Sequence, residues 1–165
     1  MIRRAVAEDV QAIMEIVADA QSLLRDCGVD QWQDGYPTAE IILQDIVRNE
    51  SYVVVNDGQI VGTAVISFAG EVTYNQIDGR WINDNPYAVI HRLAVRSTAR
   101  GTGIAKQLFA YAEELCRERS IGDIRVDTHR DNNIMRNLLS VIGYKHCGEI
   151  TLLSGAKRIA LQKEL

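Results

Sequence analysis

The sequence predicts an α/β (α+β) fold: a mixed central sheet flanked by helices, in the order β-α-α-β-β-β-α-β-α-β-β, as one domain over residues 1–165. Three observations lead there. Short β-branched runs alternate with stripes of helical period along the chain. One segment, residues 89–128, reads strand, glycine-bearing turn, helix, strand, which demands a parallel pair joined by a right-handed crossover. Finally, 165 residues with 47% apolar and 24% charged side chains and two prolines can bury a sizeable core, which excludes a disordered chain.

The same arithmetic narrows the function. Eighteen Lys and Arg against 22 Asp and Glu leave a net charge of −4, so no nucleic-acid partner is expected. No apolar run approaches the ~20 residues of a membrane span, so no membrane partner is expected either. Cys27, Cys116 and Cys147 are widely spaced and form no C-x-x-C pair, which suggests neither a disulfide framework nor a metal site. Met1-Ile2-Arg3-Arg4 leads into residues 5–9 without an apolar signal core, so a cytoplasmic location is expected.

Residues 2–6 open as a short strand. Over 9–24, Val10, Ile13, Ile16, Val17, Ala20, Leu23 and Leu24 keep helical spacing, Glu8 and Asp9 suit the start, and Gly28 suits the stop. Residues 30–37 form a loop carrying Trp32 and Tyr36, with Pro37 keeping Tyr36 out of helical geometry. Thr38 caps a second helix bearing Ile41, Ile42, Leu43, Ile46 and Val47. Asp57-Gly58 joins strands 52–56 and 60–68 as a hairpin. Residues 70–86 are polar and weakly periodic, a long connection with room for a piece of strand. In strand 89–95, simple alternation puts Val89, His91, Leu93 and Val95 on one face and Ile90, Arg92 and Ala94 on the other. Ile104, Leu108, Ala112, Leu115 and Cys116 then stripe a helix that ends near Arg119, and 124–128 returns as strand. Asp131 or Asn132 caps a last helix with Ile134, Met135, Leu138, Leu139 and Ile142 inward, stopped by Gly143, and strands 144–153 and 156–162 close the chain.

The chemistry is carried by Arg96-Ser97-Thr98-Ala99-Arg100-Gly101-Thr102-Gly103-Ile104-Ala105-Lys106, which leaves a strand and opens a helix. Glycines let backbone approach an anion, and a helix start offers unbonded N–H groups and a favourable dipole. A P-loop requires Gly-Lys-Ser/Thr, whereas here Lys106 follows Ala105. A dinucleotide fingerprint requires a third small residue where Lys106 stands. A nucleotide-binding domain of either kind is therefore disfavoured.

Arg100, Gly103 and Ala105 do satisfy R-x-x-G-x-A directly after Leu93-Ala94-Val95. This resembles the acyl-CoA pyrophosphate loop of the GNAT superfamily of N-acyltransferases. Other segments are similar to the family in the same order: Arg4-Ala5 with Glu8, Asp9 and Ile13 at the start, Asn132-x-x-Met135 with Leu138 and Gly143-Tyr144, and Arg158 to Lys163 at the end. The resemblance is strong over 89–165 and looser before. It implies a strongly twisted sheet whose strands at 89–95 and 124–128 splay apart around the pantetheine arm. It further implies acetyl-CoA as the acyl-donor cosubstrate, without a metal. Leu93, Ala94 and Val95 would meet the acyl group and pantetheine, Arg100, Gly101, Thr102, Gly103, Ile104, Ala105 and Lys106 the pyrophosphate, with Arg96 nearby, and Asn132 the CoA arm, its other reading being the cap of the last helix. Family members often pair, so a homodimer is one expectation.

The reaction implied is transfer of acetyl from acetyl-CoA to a small-molecule or peptide amine. An alkylammonium of pKa ~10.4 is neutral in about one molecule in 2,500 at pH 7, so deprotonation costs about 4.6 kcal/mol. His91, two residues before Leu93 with an ordinary pKa near ~6.5, is the candidate base, the other reading being a packed histidine under the sheet. The position that holds the family's general-acid tyrosine is Leu139, which leaves that role unassigned. Trp32 and Tyr36 are candidate walls of the acceptor pocket, the other reading being a local cluster over the core edge, and Asp30, Asp34, Glu71 and Asp84 are candidate attractors of a cation or simply solvated. His129 is read as a loop cap, the other reading being a second acid/base. Two alternatives stay open: an acyl-CoA-binding or sensing module without turnover, and transfer of another acyl group.

Overall fold

The computed structural model describes the whole chain, Met1–Leu165. In chain order the elements are β1 (Ile2–Arg4), α1 (Val10–Asp26), α2 (Ala39–Val47), β2 (Ser51–Asn56), β3 (Gln59–Ser67), β4 (Ile77–Gly79), β5 (Tyr87–Val95), α3 (Ile104–Glu118), β6 (Asp123–Thr128), α4 (Asn133–Val141), β7 (Lys145–Thr151) and β8 (Lys157–Glu164). The strands form a mixed sheet in the hydrogen-bonded order β1-β2-β3-β5-β6-β8-β7-β4. It is mostly antiparallel, with β5 and β6 running parallel as the crossover through α3 requires. The expected order therefore holds, with one strand more than the sequence pattern gave. No helix is long and apolar enough to cross a membrane.

Contacts fall into two compact units, Met1–Ile66 with Arg92–Ala112 and Ser67–His91 with Glu113–Leu165. In the first, the β2–β3 hairpin turns on Asp57 and Gly58, both left-handed (φ +48° and +76°), the backbone that matches strand twist in a two-residue loop. Helix α1 buries Ile13, Ile16 and Val17. Ala5, Ile13, Val17, Ile42 and Val53 form the core, each fully buried branched side chain contributing roughly 1.5–3 kcal/mol. Thr38 Oγ1 accepts from the Ile41 N–H at 3.4 Å and caps α2 as expected.

The second unit packs Tyr74, Trp81, Val89, Ile150 and Ala160. Here residues 70–86 are far more ordered than their polar sequence suggests. They contain a short 3-10 turn, Val72–Asn75, and strand β4, which pairs antiparallel with β7. The following residues are pinned by a buried polar network. Asp123 accepts from the side-chain amides of Asn83 (2.9 Å) and Gln162 (2.8 Å), and Arg125 donates to the Asn83 carbonyl at 2.7 Å. The Arg125 guanidinium also stacks over Trp81 (4.3 Å) and Tyr87 (4.0 Å). Helix α4 is capped by Asn132, whose Oδ1 accepts from the Met135 N–H at 3.2 Å, and Gly143 supplies the left-handed stop at φ +94°.

Candidate active site

In the first unit, β5 ends at Val95 and the chain turns through a short 3-10 segment, Ser97–Ala99, into α3. Gly101 and Gly103 are both left-handed, at φ +78° and +88°, and a Cβ built on either would meet nothing within 4 Å. The turn is thus an open cradle of bare backbone leading to the first amides of α3, which have no intrahelical acceptor. Open backbone at a helix start is the kind of donor set that suits the diphosphate of an acyl-CoA. The exposed side chain of Thr102 is folded back onto the Ala99 carbonyl at 2.7 Å, and Lys106 is exposed on the first turn of α3.

Helix α1 anchors this turn from behind. Asp19 Oδ2 accepts from the Ser97 N–H at 2.7 Å, a bond that holds its carboxyl below the usual range. Arg100 donates to the Asp19 carbonyl at 2.7 Å, while Arg96 donates to the Ile60 carbonyl (2.9 Å) and pairs with Glu15 (3.2 Å). Both arginines therefore brace the loop, and only their remaining N–H groups are left for phosphate. Ile104, at the start of α3, is buried against Gly62 of β3. Ala105 is half-buried, as are Leu93 and Val95, with Ala94 buried between them.

Just before these residues the strand departs from the expected pattern. Arg92 is left-handed, at φ +49°, so the simple alternation of faces assumed for residues 89–95 is interrupted there. Its guanidinium is turned onto α2 and binds Asp45 with two bonds, Nε to Oδ2 at 2.8 Å and Nη2 to Oδ1 at 2.6 Å. The third arm, Nη1, donates to the Tyr36 hydroxyl at 2.6 Å. Burial pushes the Asp45 carboxyl up against the pull of Arg92. Burial also draws Arg92 down, but Tyr36 and Asp45 more than offset it. The bidentate geometry is that of an ionised pair. Trp32, left-handed at φ +61°, meets Tyr36 in a T-shaped ring contact with centroids 6.4 Å apart. The two proposed acceptor-wall residues thus lie together in the first unit.

Within the second unit, His91 is about one-fifth exposed and its Nε2 stands 3.5 Å from Glu71 Oε2. The other Glu71 oxygen accepts from the Thr73 N–H (3.2 Å) and hydroxyl (2.9 Å), which fixes the carboxylate. The buried Tyr74 donates its hydroxyl to Asp127 at 2.6 Å. Burial raises the Asp127 carboxyl, with Tyr74 pulling it back, and lifts the Tyr74 phenol well above its ordinary value. His129 accepts from the Asp131 N–H at 3.1 Å, the loop cap foreseen for it. Leu139 is buried in the core. Cys116 is buried too, its thiol pushed up to about 11 chiefly by burial, so it offers no thiolate near neutral pH. No group of three or more His, Cys, Asp and Glu is arranged to hold a metal.

Sequence reading missed Arg92, Asp45 and Tyr74. A signal existed for two of them: Arg92 interrupts an apolar strand, and Asp45 interrupts the apolar run Ile41, Ile42, Ile46, Val47. Charges in such positions ask for each other.

Comparison with known proteins identifies the class. The family model described as Acetyltransferase (GNAT) family matches residues 17–144, most of the chain. The chain belongs to the GNAT acetyltransferase family. A GNAT-family acetyltransferase of Streptococcus agalactiae is 32% identical, with a TM-score of 0.89 over 100% of this chain and 95% of that one. A putative acetyltransferase of Staphylococcus aureus is 25% identical, with a TM-score of 0.76 over 99% and 98%. The PaiA N-acetyltransferase of Thermoplasma acidophilum, solved in complex with coenzyme A, shares the fold at 17% identity, with a TM-score of 0.76 over 100% and 98%. No protein with a curated function matches the chain in sequence.

Proposed function

We propose that this GNAT acetyltransferase moves the acetyl group of acetyl-CoA directly to the primary amine of a small molecule or peptide. The observation that carries the proposal is the Gly101–Gly103 cradle at the start of α3: left-handed glycines, open space at both Cβ positions, and a helix start behind them. Amides of residues 101–106 hold the diphosphate, and Leu93, Ala94 and Val95 offer backbone to the pantetheine and the thioester. Asn132 contributes at the head of α4 to the CoA arm as well as capping the helix. Bound there, acetyl-CoA supplies an activated carbonyl with a good leaving group.

His91, whose Nε2 stands 3.5 Å from the Glu71 carboxylate, takes the proton of the incoming ammonium. The amine nitrogen then forms its bond to the carbonyl carbon, a β5 backbone N–H stabilises the oxyanion, and the carbon–sulfur bond breaks; the second proton lost from the new amide nitrogen is taken up by the departing sulfur or by water. A thiol of pKa ~8.5 leaves as thiolate without a dedicated acid, which suits a chain with leucine at position 139. Trp32 and Tyr36 wall the acceptor. The free thiols of Cys27, Cys116 and Cys147 fit a reducing compartment such as the cytoplasm.

One observation favours a second reading, an acyl-CoA-binding module without turnover: Leu139 leaves the family's general-acid position filled by a core side chain. Calorimetric titration with acetyl-CoA, using CoA, ATP and NADH as controls, followed by a screen of amines, separates the two. Selective binding of CoA species with N-acetyl product is expected. Binding without acetylation of any amine supports the second reading, a different mass increment on the product means another acyl group, and no response to any CoA species refutes the cradle. His91→Ala should lower turnover while leaving CoA affinity nearly unchanged; equal losses in both would make it a structural histidine.

A further inference from the structure

Five residues other than glycine have left-handed backbone: Trp32, Asn49, Asp57, Arg92 and Ser120. Three are accounted for by local geometry. Asn49 and Ser120 follow the ends of α2 and α3, with backbone bonds to Ile46 and Arg117, and Asp57 is in the hairpin turn. Trp32 and Arg92 have no such excuse, and both are bulky side chains for which this conformation is a genuine outlier. Both meet the same third residue. Arg92 donates to the Tyr36 hydroxyl, and the Trp32 ring makes a T-shaped contact with the Tyr36 ring. Strain of this kind persists only where the surroundings over-determine it, and it concentrates at ligand-handling sites.

The surroundings here are specific. Asp45 occupies two arms of the Arg92 guanidinium and Tyr36 a third, with Asp45 almost wholly buried and Arg92 about one-seventh exposed. On the far side of the loop, Gln21 of α1 donates its side-chain amide to the Tyr36 carbonyl at 3.1 Å, and Gln33 donates to the Gln21 carbonyl at 3.0 Å. From this we infer that Asp45–Arg92–Tyr36 is a clamp that fixes the 30–37 loop onto β5, making Arg92 and Asp45 positioning residues for acceptor selection. The inference rests on the N-acetyltransferase reading for what the loop selects, but not for the clamp itself. Since Asp45 neutralises Arg92 within the pair, the guanidinium acts as a strut and leaves no uncompensated cation to repel a protonated amine. The acceptor class that follows is a cationic amine whose body packs on the Trp32 and Tyr36 rings.

Two readouts on the full chain test this. The first is hydrogen–deuterium exchange of the amides of 30–37 in the wild type, Tyr36→Phe and Asp45→Asn. Tyr36→Phe removes one charge-assisted bond and keeps the ring, so loop exchange should rise roughly tenfold, with the β2–β3 hairpin unaffected. The second is steady-state kinetics with spermidine, tyramine and glycinamide as probe acceptors. Arg92→Lys, which keeps the charge but loses the fork, should raise the amine KM roughly tenfold while leaving the acetyl-CoA KM within about twofold. Unchanged loop exchange in both variants overturns the clamp. So does a parallel rise in both KM values, which would mark a merely structural role. If the wild type acetylates none of the probes while loop exchange still responds, the clamp stands and the acceptor assignment fails.

Discussion

Gly62 of β3 is buried against the first residue of α3, and Gly62→Ala tests how tightly the strand holds the proposed diphosphate cradle. An alanine Cβ there would lie 2.5 Å from Ile104 Cγ2, about 1 Å inside an ordinary carbon–carbon contact. It has little freedom to tilt away, because Val54 Cγ2 at 3.5 Å and the Ala94 carbonyl at 3.6 Å are already in contact. Ile104 is β-branched and therefore stiff at χ1 in a helix, so the separation must come from moving the first turn of α3. Overpacking of this sort costs about 1–3 kcal/mol. The loss of glycine freedom in the unfolded chain offsets roughly 0.4–1 kcal/mol of it. The expected net is a destabilisation of about 1–2 kcal/mol, or a Tm lower by roughly 2–8 °C at this chain length. CoA affinity should fall with it, since the displaced turn carries the amides. Thermal unfolding and calorimetric titration read the two effects separately. The clash has an internal control: in an Ile104→Ala background the methyl is gone, and Gly62→Ala should there cost little or nothing. A single variant as stable as the wild type, with unchanged CoA affinity, refutes the reasoning.

Three further outcomes follow from the same geometry. Gly103→Val has open space for its side chain but must adopt φ +88°, so it should weaken CoA binding first and stability by only about 1–2 kcal/mol; calorimetry and thermal unfolding separate these. Asp9 accepts from both Arg3 terminal nitrogens and from the Val6 N–H, and Arg3 above all holds its carboxyl below the usual range. That stabilisation is fully present above the unfolded carboxyl pKa and is lost as pH falls through the lower folded value. Asp9→Asn should therefore cost about 1–2 kcal/mol at pH 7, discounted for the partly exposed Arg3, with the gap closing below about pH 4 in a urea titration series. Tyr74→Phe removes the hydroxyl that offsets burial at Asp127. A carboxyl raised in the folded state loses stability as pH rises past its unfolded value, so the variant's deficit should be larger at pH 7 than at pH 4. An equal deficit at both would mean that Asp127 does not sense the hydroxyl's charge preference.

Much of the fold and the backbone of the candidate site are legible from local sequence, because the physics involved is local. Asp57-Gly58 dictates its turn through backbone sterics within two residues, Thr38 and Asn132 cap helices three residues ahead, and the Gly101–Gly103 cradle needs only its own glycines and the start of α3. Family membership, residing in that cradle and the motifs around it, was legible for the same reason. The 70–86 segment was not, since its order comes from Asp123, Arg125 and Gln162, some forty to eighty residues away. Nor was the clamp. Arg92 and Asp45 are 47 positions apart, and Tyr74 and Asp127 are 53 apart. A charge in an apolar run announces that it needs a partner, but only the folded chain chooses which one. Composition, periodicity and caps determine the elements and the glycine turn before α3. The left-handed turn at Arg92, the loop it grips and the orientation of Glu71 toward His91 are decided by tertiary packing, because buried charges and hydrogen-bond donors must be satisfied in space rather than along the chain.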